Sequence, residues 1–470
     1  MRIILFLLVL SFSINPAHSI PNFDIKSLWE IPLQPVKYQL FKTYNSGSIK
    51  VEELYYQSRS YKDRTVNIFG YLCYPRASKA KLPAILLVHG GGGTASLGRA
   101  VSWAKRGYVV LTIDLPGHGD KRLASRSGGP DMDVPILLRT YPDPSYNYLV
   151  HAVAATRNGI TLLSDRKEVD PKRIGMVGLS WGGVITLLTN GQDDRLKTAI
   201  NVFGAGYIPE GCTWGTRFEN MSEEEINRWY SLIDPKNFLK SQHAPILFLT
   251  GTNDHCYYLP TFQKSYDEVS VPKRLVLIPN LRHRFLADEQ SIVWNWLDYQ
   301  LKYNKPFPQI YLHSIYSEKD KLIISVTTEA YTKMASAVLY LTPGQPNHWT
   351  KKNWKAIKGY YEDGYYYFGI PLSQIHTEIL FYITAKDING ALASTPVQSI
   401  FRVRLGGKAT ELALSSPIKK ASIHEMPLRL IGFVNPPFSQ RLYFSKKNKV
   451  YAFFGSQEVS VLNRDTSAPD

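Results

Sequence analysis

The chain has 470 residues, and its 55 Lys and Arg against 39 Asp and Glu give a formal net charge of +16. The ordinary globular composition excludes collagen-like, disordered and repeat proteins, and the length predicts two or more domains because one core rarely supports so many residues. The basic balance suggests affinity for acidic polymers or surfaces. The charges are spread along the chain, however, so nucleic-acid binding is not expected, and a basic exported protein without such a partner is the favoured interpretation.

The first segment has the pattern of an export signal. Arg2 precedes an apolar run at 3–10, and small residues at 17–19 suit cleavage before Ile20. That run is short for a membrane span, which needs about 20 apolar residues, and no later run approaches this length. We therefore predict a signal peptide at 1–19, a secreted or periplasmic protein, and no stable membrane span.

Strand-like and helix-like segments alternate from residue 49 to about 303. The expected strands lie at 49–58, 66–74, 84–89, 108–113, 174–179, 198–203, 245–251 and 274–279. One helix is expected to end at 105, and two more are expected at 146–163 and 288–301. A loop is expected at 125–145. An insertion at 206–243 carries a capping box at 222–225, which predicts the start of a short helix. This alternation predicts an α/β domain at 20–303, with a mostly parallel sheet covered by helices on both faces.

The chain changes character after about residue 303. Short strand-like segments separated by turns are expected at 322–328, 337–341, 365–368, 378–385 and 400–405. Their spacing predicts a small β-sandwich at 304–406. The remaining segment, 407–470, is predicted to be a β-rich extension with a hairpin around 446–448 and a polar tail, and the sequence leaves open whether it completes the sandwich.

The segment Gly178-Leu179-Ser180-Trp181-Gly182 has the Gly-x-Ser-x-Gly pattern between a predicted strand and a predicted helix. This order is typical of a nucleophile elbow, a tight turn that exposes the serine hydroxyl at the edge of the sheet. A serine needs a base, usually a histidine that a carboxylate orients. The segment therefore predicts Ser180 as the nucleophile of a serine hydrolase.

The chain order of such enzymes, serine then acid then histidine, leaves few partners for Ser180. Asp254 follows the strand that ends at 251, and His283 follows the last strand of the domain. His243 precedes a strand, which places it at the wrong edge of the sheet, and His255 would leave no proper acid. We predict Asp254 as the acid and His283 as the base.

Two backbone amides should stabilise the oxyanion of the tetrahedral intermediate. Trp181 follows the nucleophile directly, and Gly91 or Gly92 in the glycine run after His89 can bring a second amide close to the substrate. A phosphate-binding Walker loop would need a Lys-Ser or Lys-Thr pair that this run lacks. His89 is expected to brace the loop.

Aromatic residues of the insertion are candidates for substrate binding. Trp214, Trp229 and Tyr230 can form an apolar lid or a wall that stacks on sugars, and packing in the core is the open alternative. The turn at 114–120 holds acidic residues and a histidine, but a structural turn is favoured over a metal site, and we predict no metal and no cofactor. A disulfide between Cys212 and Cys256 stays open.

The segments 89–94, 170–175, 178–183 and 251–254, together with His283, resemble the α/β-hydrolase superfamily, and within it exported esterases grouped with acetylxylan esterases and dienelactone hydrolases. This resemblance implies the α/β-hydrolase fold, with Ser180, Asp254 and His283 as the triad. Arg282 and Arg284, on either side of His283, depart from the His-Gly sequence often found at this position. The region 304–406 resembles the immunoglobulin-like modules attached to such enzymes.

These observations predict a serine carboxylic-ester hydrolase that removes small acyl groups, acetyl groups first, from carbohydrate through an acyl-enzyme. A serine peptidase or a lactone hydrolase of the same fold is the alternative within the class. A non-catalytic binding or adhesion protein, working through the sandwich and the basic surface, is the alternative from another class.

Overall fold

The structure is a computed structural model. It describes residues 24–32, 35–117, 126–285, 287–344, 348–375, 378–405, 409–414, 429–434, 441–446, 449–453 and 459–463. The predicted signal peptide at 1–19 and the end of the polar tail lie outside the described residues. No described helix is long and apolar enough to cross a membrane.

Among the described residues, the α/β part contains nine strands, nine α-helices and two short 3₁₀ helices, Pro144–Tyr146 and Pro235–Phe238. Its strands are β1 (Tyr38–Ser46), β2 (Ile49–Tyr61), β3 (Arg64–Pro75), β4 (Leu82–Val88), β5 (Val109–Ile113), β6 (Val169–Leu179), β7 (Thr198–Val202), β8 (Ile246–Gly251) and β9 (Lys273–Ile278). Its helices are α1 (Ile25–Trp29), α2 (Leu97–Ala104), α3 (Val134–Leu138), α4 (Tyr148–Ser164), α5 (Trp181–Asn190), α6 (Gly215–Phe218), α7 (Glu223–Leu232), α8 (Leu259–Glu268) and α9 (Ala287–Leu297), which a π-helical turn, Asp298–Tyr303, continues.

The strand order is β1-β2-β3-β5-β4-β6-β7-β8-β9. The first four strands of this order pair antiparallel, and β5, β4, β6, β7, β8 and β9 pair in parallel. Successive residues of β4 belong to two separate apolar clusters, Leu86 to the cluster under α4 and α5 and Leu87 to the cluster under α2 and α9. Both faces of the sheet are therefore covered, as predicted.

Two details differ from the expectation. The loop expected at 125–145 contains the short helix α3, which Asp133 caps by accepting a hydrogen bond from the Ile136 amide at 2.8 Å. Strand β1 was not predicted, because it is an edge strand whose residues are almost all exposed and show no apolar alternation. The capping box of α7 is present as predicted, with Ser222 and Glu225 each bonding the other's backbone.

The region after α9 contains two antiparallel sheets that share one core. Their strands are β10 (Gln309–Glu318), β11 (Lys321–Glu329), β12 (Met334–Pro343), β13 (Lys355–Lys358), β14 (Tyr360–Glu362), β15 (Tyr365–Pro371), β16 (Glu378–Asp387), β17 (Leu392–Ser394), β18 (Gln398–Leu405) and β19 (Ala409–Leu414). One sheet is β10-β11-β15-β14, and the other contains β17-β16-β12-β13 with β18 and β19. Ile324 of the first sheet and Phe381 of the second lie in the same apolar cluster.

The second of these sheets continues the sheet of the α/β part. Ser394 of β17 pairs with Leu275 of β9, and the Ser394 hydroxyl accepts a hydrogen bond from the Leu277 amide at 3.0 Å. The last strands, β20 (Arg429–Val434), β21 (Arg441–Lys446), β22 (Lys449–Phe453) and β23 (Val459–Asn463), form a sheet of their own. Lys446 faces Lys449 across β21 and β22, which confirms the predicted hairpin.

Candidate active site

Ser180 lies in a sharp turn between β6, which ends at Leu179, and α5, which begins at Trp181. Its backbone has φ 58° and ψ −116°, a conformation that residues with a side chain rarely adopt. Two glycines make the turn sterically feasible. A Cβ atom on Gly178 would lie 1.9 Å from the Gly182 carbonyl oxygen, and one on Gly182 would lie 2.4 Å from the Val88 carbonyl oxygen. The strand, turn and helix thus have the geometry of a nucleophile elbow.

The structure brings the three predicted triad side chains together. His283 Nε2 lies 2.8 Å from Ser180 Oγ, and His283 Nδ1 lies 3.0 Å from each carboxylate oxygen of Asp254. With the proton on Nδ1, the ring donates to Asp254 and accepts the serine hydroxyl proton at Nε2. This is the hydrogen-bond order that a serine nucleophile needs.

The Asp254 carboxylate is fully buried and held by the backbone. Its Oδ1 atom accepts hydrogen bonds from the Cys256 amide at 2.7 Å and the Tyr257 amide at 3.1 Å. Burial of the His283 ring disfavours its charged form. The hydrogen bond to Asp254 acts in the opposite direction and, together with the neighbouring Cys256, raises the pKa of His283 to about 9.

The glycine run after β4 is braced by His89. The Leu115 amide donates to His89 Nε2 at 3.0 Å, so Nδ1 carries the proton and donates to the Gly90 carbonyl at 2.7 Å. Burial lowers the pKa of His89, which favours this neutral form. The ring therefore fixes the loop, as predicted.

Asp114 has a structural part in the same region. Its buried carboxylate accepts hydrogen bonds from the amides of Ala95 at 2.6 Å and Arg126 at 3.0 Å. These bonds tie the end of β5 to the segment that follows the glycine run. His118 and Asp120, the other residues considered for a metal, lie outside the described residues.

A cavity of about 410 Å³ opens beside Ser180 and His283, and Gly91 and Gly92 line it. The glycine loop packs against the residue after the serine, since a Cβ atom on Gly91 would lie 3.0 Å from Trp181 Cδ1. Trp181 is the first residue of α5, so its amide has no acceptor within the helix. Both predicted sources of oxyanion amides therefore lie close to the serine.

The aromatic residues of the insertion lie outside this cavity lining. Trp229 is fully buried and donates from Nε1 to the Leu137 carbonyl at 3.0 Å, so for this residue the structure agrees with core packing, the alternative that the sequence left open. The Tyr230 hydroxyl bonds the Glu210 carboxylate. Trp214 packs edge-on against Trp181, with 5.2 Å between the ring centroids.

The three cysteines are free, so the disulfide considered between Cys212 and Cys256 does not form. Cys212 lies opposite Tyr257 in an isolated β-bridge. The Cys212 thiol instead donates to the Ile208 carbonyl at 3.1 Å.

Asp254, Cys256 and His283 place one ligand atom each within 4.8 Å of one another, and these residue types can bind zinc. The imidazole Nδ1 that a metal would use is the atom that bonds Asp254. Asp254 and His283 therefore already use these atoms in the hydrogen bonds that lead to Ser180. That the protein binds no metal stays a prediction.

Residues of the β-sandwich reach the two loops that carry the acid and the base, which the sequence did not predict. Asn253 donates from Nδ2 to the Lys352 carbonyl at 2.6 Å. Asn280 donates to the Trp354 carbonyl at 3.0 Å and accepts from the Trp354 amide at 2.8 Å. No sequence signal links these asparagines to segment 348–354, which lies at least 68 positions further along the chain.

Three more residues at the site were not predicted. Arg99, Phe203 and Phe285 line the cavity together with Arg284, which the sequence had marked only as a departure from a common pattern. The Phe203 ring lies 4.9 Å from the His283 ring, between centroids. Arg99 lies in α2, near the start of the α/β part, and Phe285 follows β9, its last strand. The two residues are far apart in the sequence, so only the fold brings them together.

Two family models match the chain. Residues 20–205 match the acetyl xylan esterase family, and residues 211–343 match the family described as PhoPQ-activated pathogenicity-related protein. The first match contains the glycine run and Ser180. It confirms the predicted resemblance to acetylxylan esterases.

Curated relatives and solved structures agree with this resemblance. An acetyl esterase of Xylanibacter ruminicola is 24% identical over 254 residues, which are 51% of this chain and 58% of that protein. Acetyl xylan esterases from Paenibacillus and Thermoanaerobacterium each superpose with a TM-score of 0.50, at 23% and 18% identity, over 59% and 58% of this chain and 92% of theirs. The chain spans about half to two thirds of the length of the first curated relatives it matches. The chain has the α/β-hydrolase fold.

Proposed function

We propose that this protein is a serine carboxylic-ester hydrolase that removes small acyl groups, acetyl groups first, from carbohydrate. The observation that carries the proposal is the chain of hydrogen bonds from Ser180 Oγ through His283 to Asp254, beside an open cavity. The match to acetyl xylan esterases supports an acetyl ester as the substrate.

The first half of the reaction forms an acyl-enzyme. Ser180 Oγ attacks the ester carbonyl while His283 Nε2 takes the hydroxyl proton, and Asp254 stabilises the imidazolium that results. His283 then gives this proton to the leaving alcohol oxygen, and Ser180 keeps the acyl group. In the second half, His283 takes a proton from water as the water oxygen attacks the acyl carbonyl. It then returns this proton to Ser180 Oγ as the bond from the serine to the acyl carbon breaks and the carboxylic acid leaves.

The negative charge on the tetrahedral intermediate needs two donors. The Trp181 amide is one, and the amide of Gly91 or Gly92 is the other. The partial positive charge at the N-terminus of α5 acts in the same direction. Loss of one such donor typically costs about 100- to 1,000-fold in rate.

The proposal includes export of the protein and an immunoglobulin-like module. Export rests on Arg2 and the apolar run at 3–10. The module rests on the two antiparallel sheets of β10–β18, which share a core of Leu, Ile and Phe side chains. A sandwich of this kind can present the catalytic part to a polymer or to a surface.

Two alternatives are tested together with this proposal. A peptidase or a lactone hydrolase would use the same three side chains, so only the substrate separates these activities from an esterase. A purely binding or adhesion protein is disfavoured, because the geometry of Ser180 and His283 is complete and the strained turn at Ser180 has no use in binding alone.

The deciding experiment is a substrate panel measured with the wild type and with Ser180→Ala. The panel contains 4-nitrophenyl esters from acetyl to octanoyl, acetylated xylose and xylo-oligosaccharides, a lactone and short peptide amides. We expect hydrolysis of the acetylated substrates that Ser180→Ala abolishes. Cleavage of peptides or lactones without deacetylation would replace the proposal with that activity, and no hydrolysis at all would refute it.

A further inference from the structure

The cavity beside Ser180 has an unbalanced charge. Among the described residues that line it there are two arginines, Arg99 and Arg284, and no Asp or Glu. Arg99 lies in the first turn of α2, and Arg284 directly follows His283. Two different elements therefore direct positive charge into the space where a substrate of Ser180 has to lie.

Neither guanidinium group has a carboxylate partner among the described residues. Other arginines of the same domain do have one: Arg173 lies 2.7 Å from Asp170, and Arg195 lies 2.6 Å from Asp193. Arg99 instead faces the Phe285 ring, 6.0 Å from its centroid, and its partial burial lowers its pKa. Both side chains remain exposed at the cavity, so their guanidinium groups are available to a ligand that supplies the opposite charge.

We infer that the substrate carries a carboxylate close to the ester, as in an O-acetylated uronic acid unit of an acidic glycan, and that Arg99 and Arg284 bind this carboxylate. A guanidinium group matches a carboxylate with two parallel hydrogen bonds. The net charge of +16 would attract such a polymer at long range. The inference rests on the proposed esterase function and names its substrate class.

The kinetic test compares two substrates that differ only in the carboxylate: methyl glucuronic acid carrying one acetyl group, and the corresponding acetylated methyl glucoside. We expect kcat/KM to be at least about 10-fold higher for the acidic substrate, an advantage that decreases as salt screens the charges. Arg99→Gln and Arg284→Gln should each bring the ratio of the two kcat/KM values close to one, because each removes a charge that only the acidic substrate engages. Arg64→Gln, an exposed arginine at the start of β3, is the matched control and should change neither rate.

A binding measurement separates this inference from the proposed function. Calorimetric titration of Ser180→Ala with the acetylated glucuronic acid needs no hydrolysis. We expect binding that the Arg99→Gln change weakens by about 10-fold and Arg64→Gln does not. Equal kcat/KM for both substrates, unaffected by either cavity arginine, would overturn the inference while the esterase proposal stands. If no ester is hydrolysed, the proposed function fails and the titration alone decides on the anion site.

Discussion

At the scale of single residues, His283 is the group on which the chemistry depends. Its Nε2 atom faces Ser180 Oγ at 2.8 Å, and Asp254 holds its other nitrogen. The base must be neutral to accept the serine proton, so its pKa determines the pH range of activity. Burial opposes the charged ring, but the carboxylate of Asp254, together with the neighbouring Cys256, more than offsets this effect and raises the pKa of His283 to about 9.

This pKa predicts how activity varies with pH. The neutral fraction of His283 increases with pH until about 9, so kcat/KM of the wild type should rise about tenfold per pH unit below that value and level off above it. Asp254→Asn removes the charge that raises the pKa and favours the wrong tautomer. Its plateau should lie about 10⁴-fold lower, and the rise should occur at lower pH.

The measurement is kcat/KM for 4-nitrophenyl acetate between pH 5 and 10, corrected for spontaneous hydrolysis. Asp63→Asn is the matched control, because Asp63 is an exposed turn residue with φ 60° that asparagine also tolerates. A wild-type profile that is flat from pH 6 upwards, or an Asp254→Asn profile with unchanged pH dependence, would contradict this account of the base.

Ser180, Asp254 and His283 could be predicted from the sequence, because the Gly-x-Ser-x-Gly pattern and the chain order serine, acid, histidine were enough to select them. Gly178, Ser180 and Gly182 form a local pattern whose steric reason is visible in the turn, and the order of strands left one acid and one histidine. Arg99 could not be assigned in this way, since a lone arginine in a helix is usually solvated. The sequence could not decide between substrate binding and core packing for Trp229, because an aromatic residue in an insertion gives no sign of which side it buries.

At the scale of elements, the loops after β8 and β9 position the acid and the base, and segment 348–354 of the sandwich holds both. Asn253 bonds Lys352, and Asn280 makes two hydrogen bonds with Trp354. The two loops are also joined directly, because the Asn280 amide donates to the Thr252 hydroxyl at 2.8 Å. The position of His283 therefore depends on contacts from outside the α/β part.

Asn280→Gly tests this dependence. Asn280 has φ 59°, so glycine removes the side-chain amide without straining the backbone. We expect kcat to fall about 10- to 100-fold, because a small shift of His283 away from Ser180 is enough for such a loss, and the free energy of unfolding to fall by about 1–3 kcal/mol.

The matched control for Asn280→Gly is Asn304→Gly, at an exposed residue with φ 49°. It should change neither kcat nor the free energy of unfolding beyond about 0.5 kcal/mol. The informative readouts are kcat and KM measured separately, together with urea unfolding. If Asn280→Gly lowers stability but leaves kcat unchanged, the sandwich stabilises the fold without positioning the base.

The elements themselves were largely predictable, because the strands of a parallel sheet are continuous apolar runs. Strand β1 was missed since an exposed edge strand has no such run. The contact of segment 348–354 with the active-site loops could not be predicted either. This contact depends on the pairing of β17 of the sandwich with β9 of the α/β part. The pattern of apolar residues along a strand does not show which distant strand it pairs with.

At the scale of the whole molecule, the sandwich and the α/β part share apolar packing. Trp354 and Tyr382 of the sandwich are buried in the same cluster as α4, α5 and α8, and their rings meet edge-on at 5.0 Å between centroids. The sheet also runs from one part into the other. We therefore expect both parts to unfold together.

Trp354→Ala provides the test of this coupling. Removal of a buried tryptophan side chain should cost about 3–5 kcal/mol and shift the loss of activity and the loss of β-structure to the same lower urea concentration. Tyr361→Ala, at a 64% exposed residue of the same sandwich, is the control and should leave both transitions in place. A variant whose sandwich unfolds at low urea while hydrolysis persists to the wild-type midpoint would show two independent domains.

The most direct test of the central claim is covalent labelling of Ser180. The wild type is treated with a fluorophosphonate, and intact mass and peptide mapping identify the modified residue, with Ser180→Ala and His283→Ala treated in parallel. We predict one adduct per chain, on Ser180, with the rate of labelling decreased in His283→Ala and no adduct in Ser180→Ala. Labelling at another residue, or equal labelling of wild type and Ser180→Ala, would contradict the assignment of Ser180 as the nucleophile.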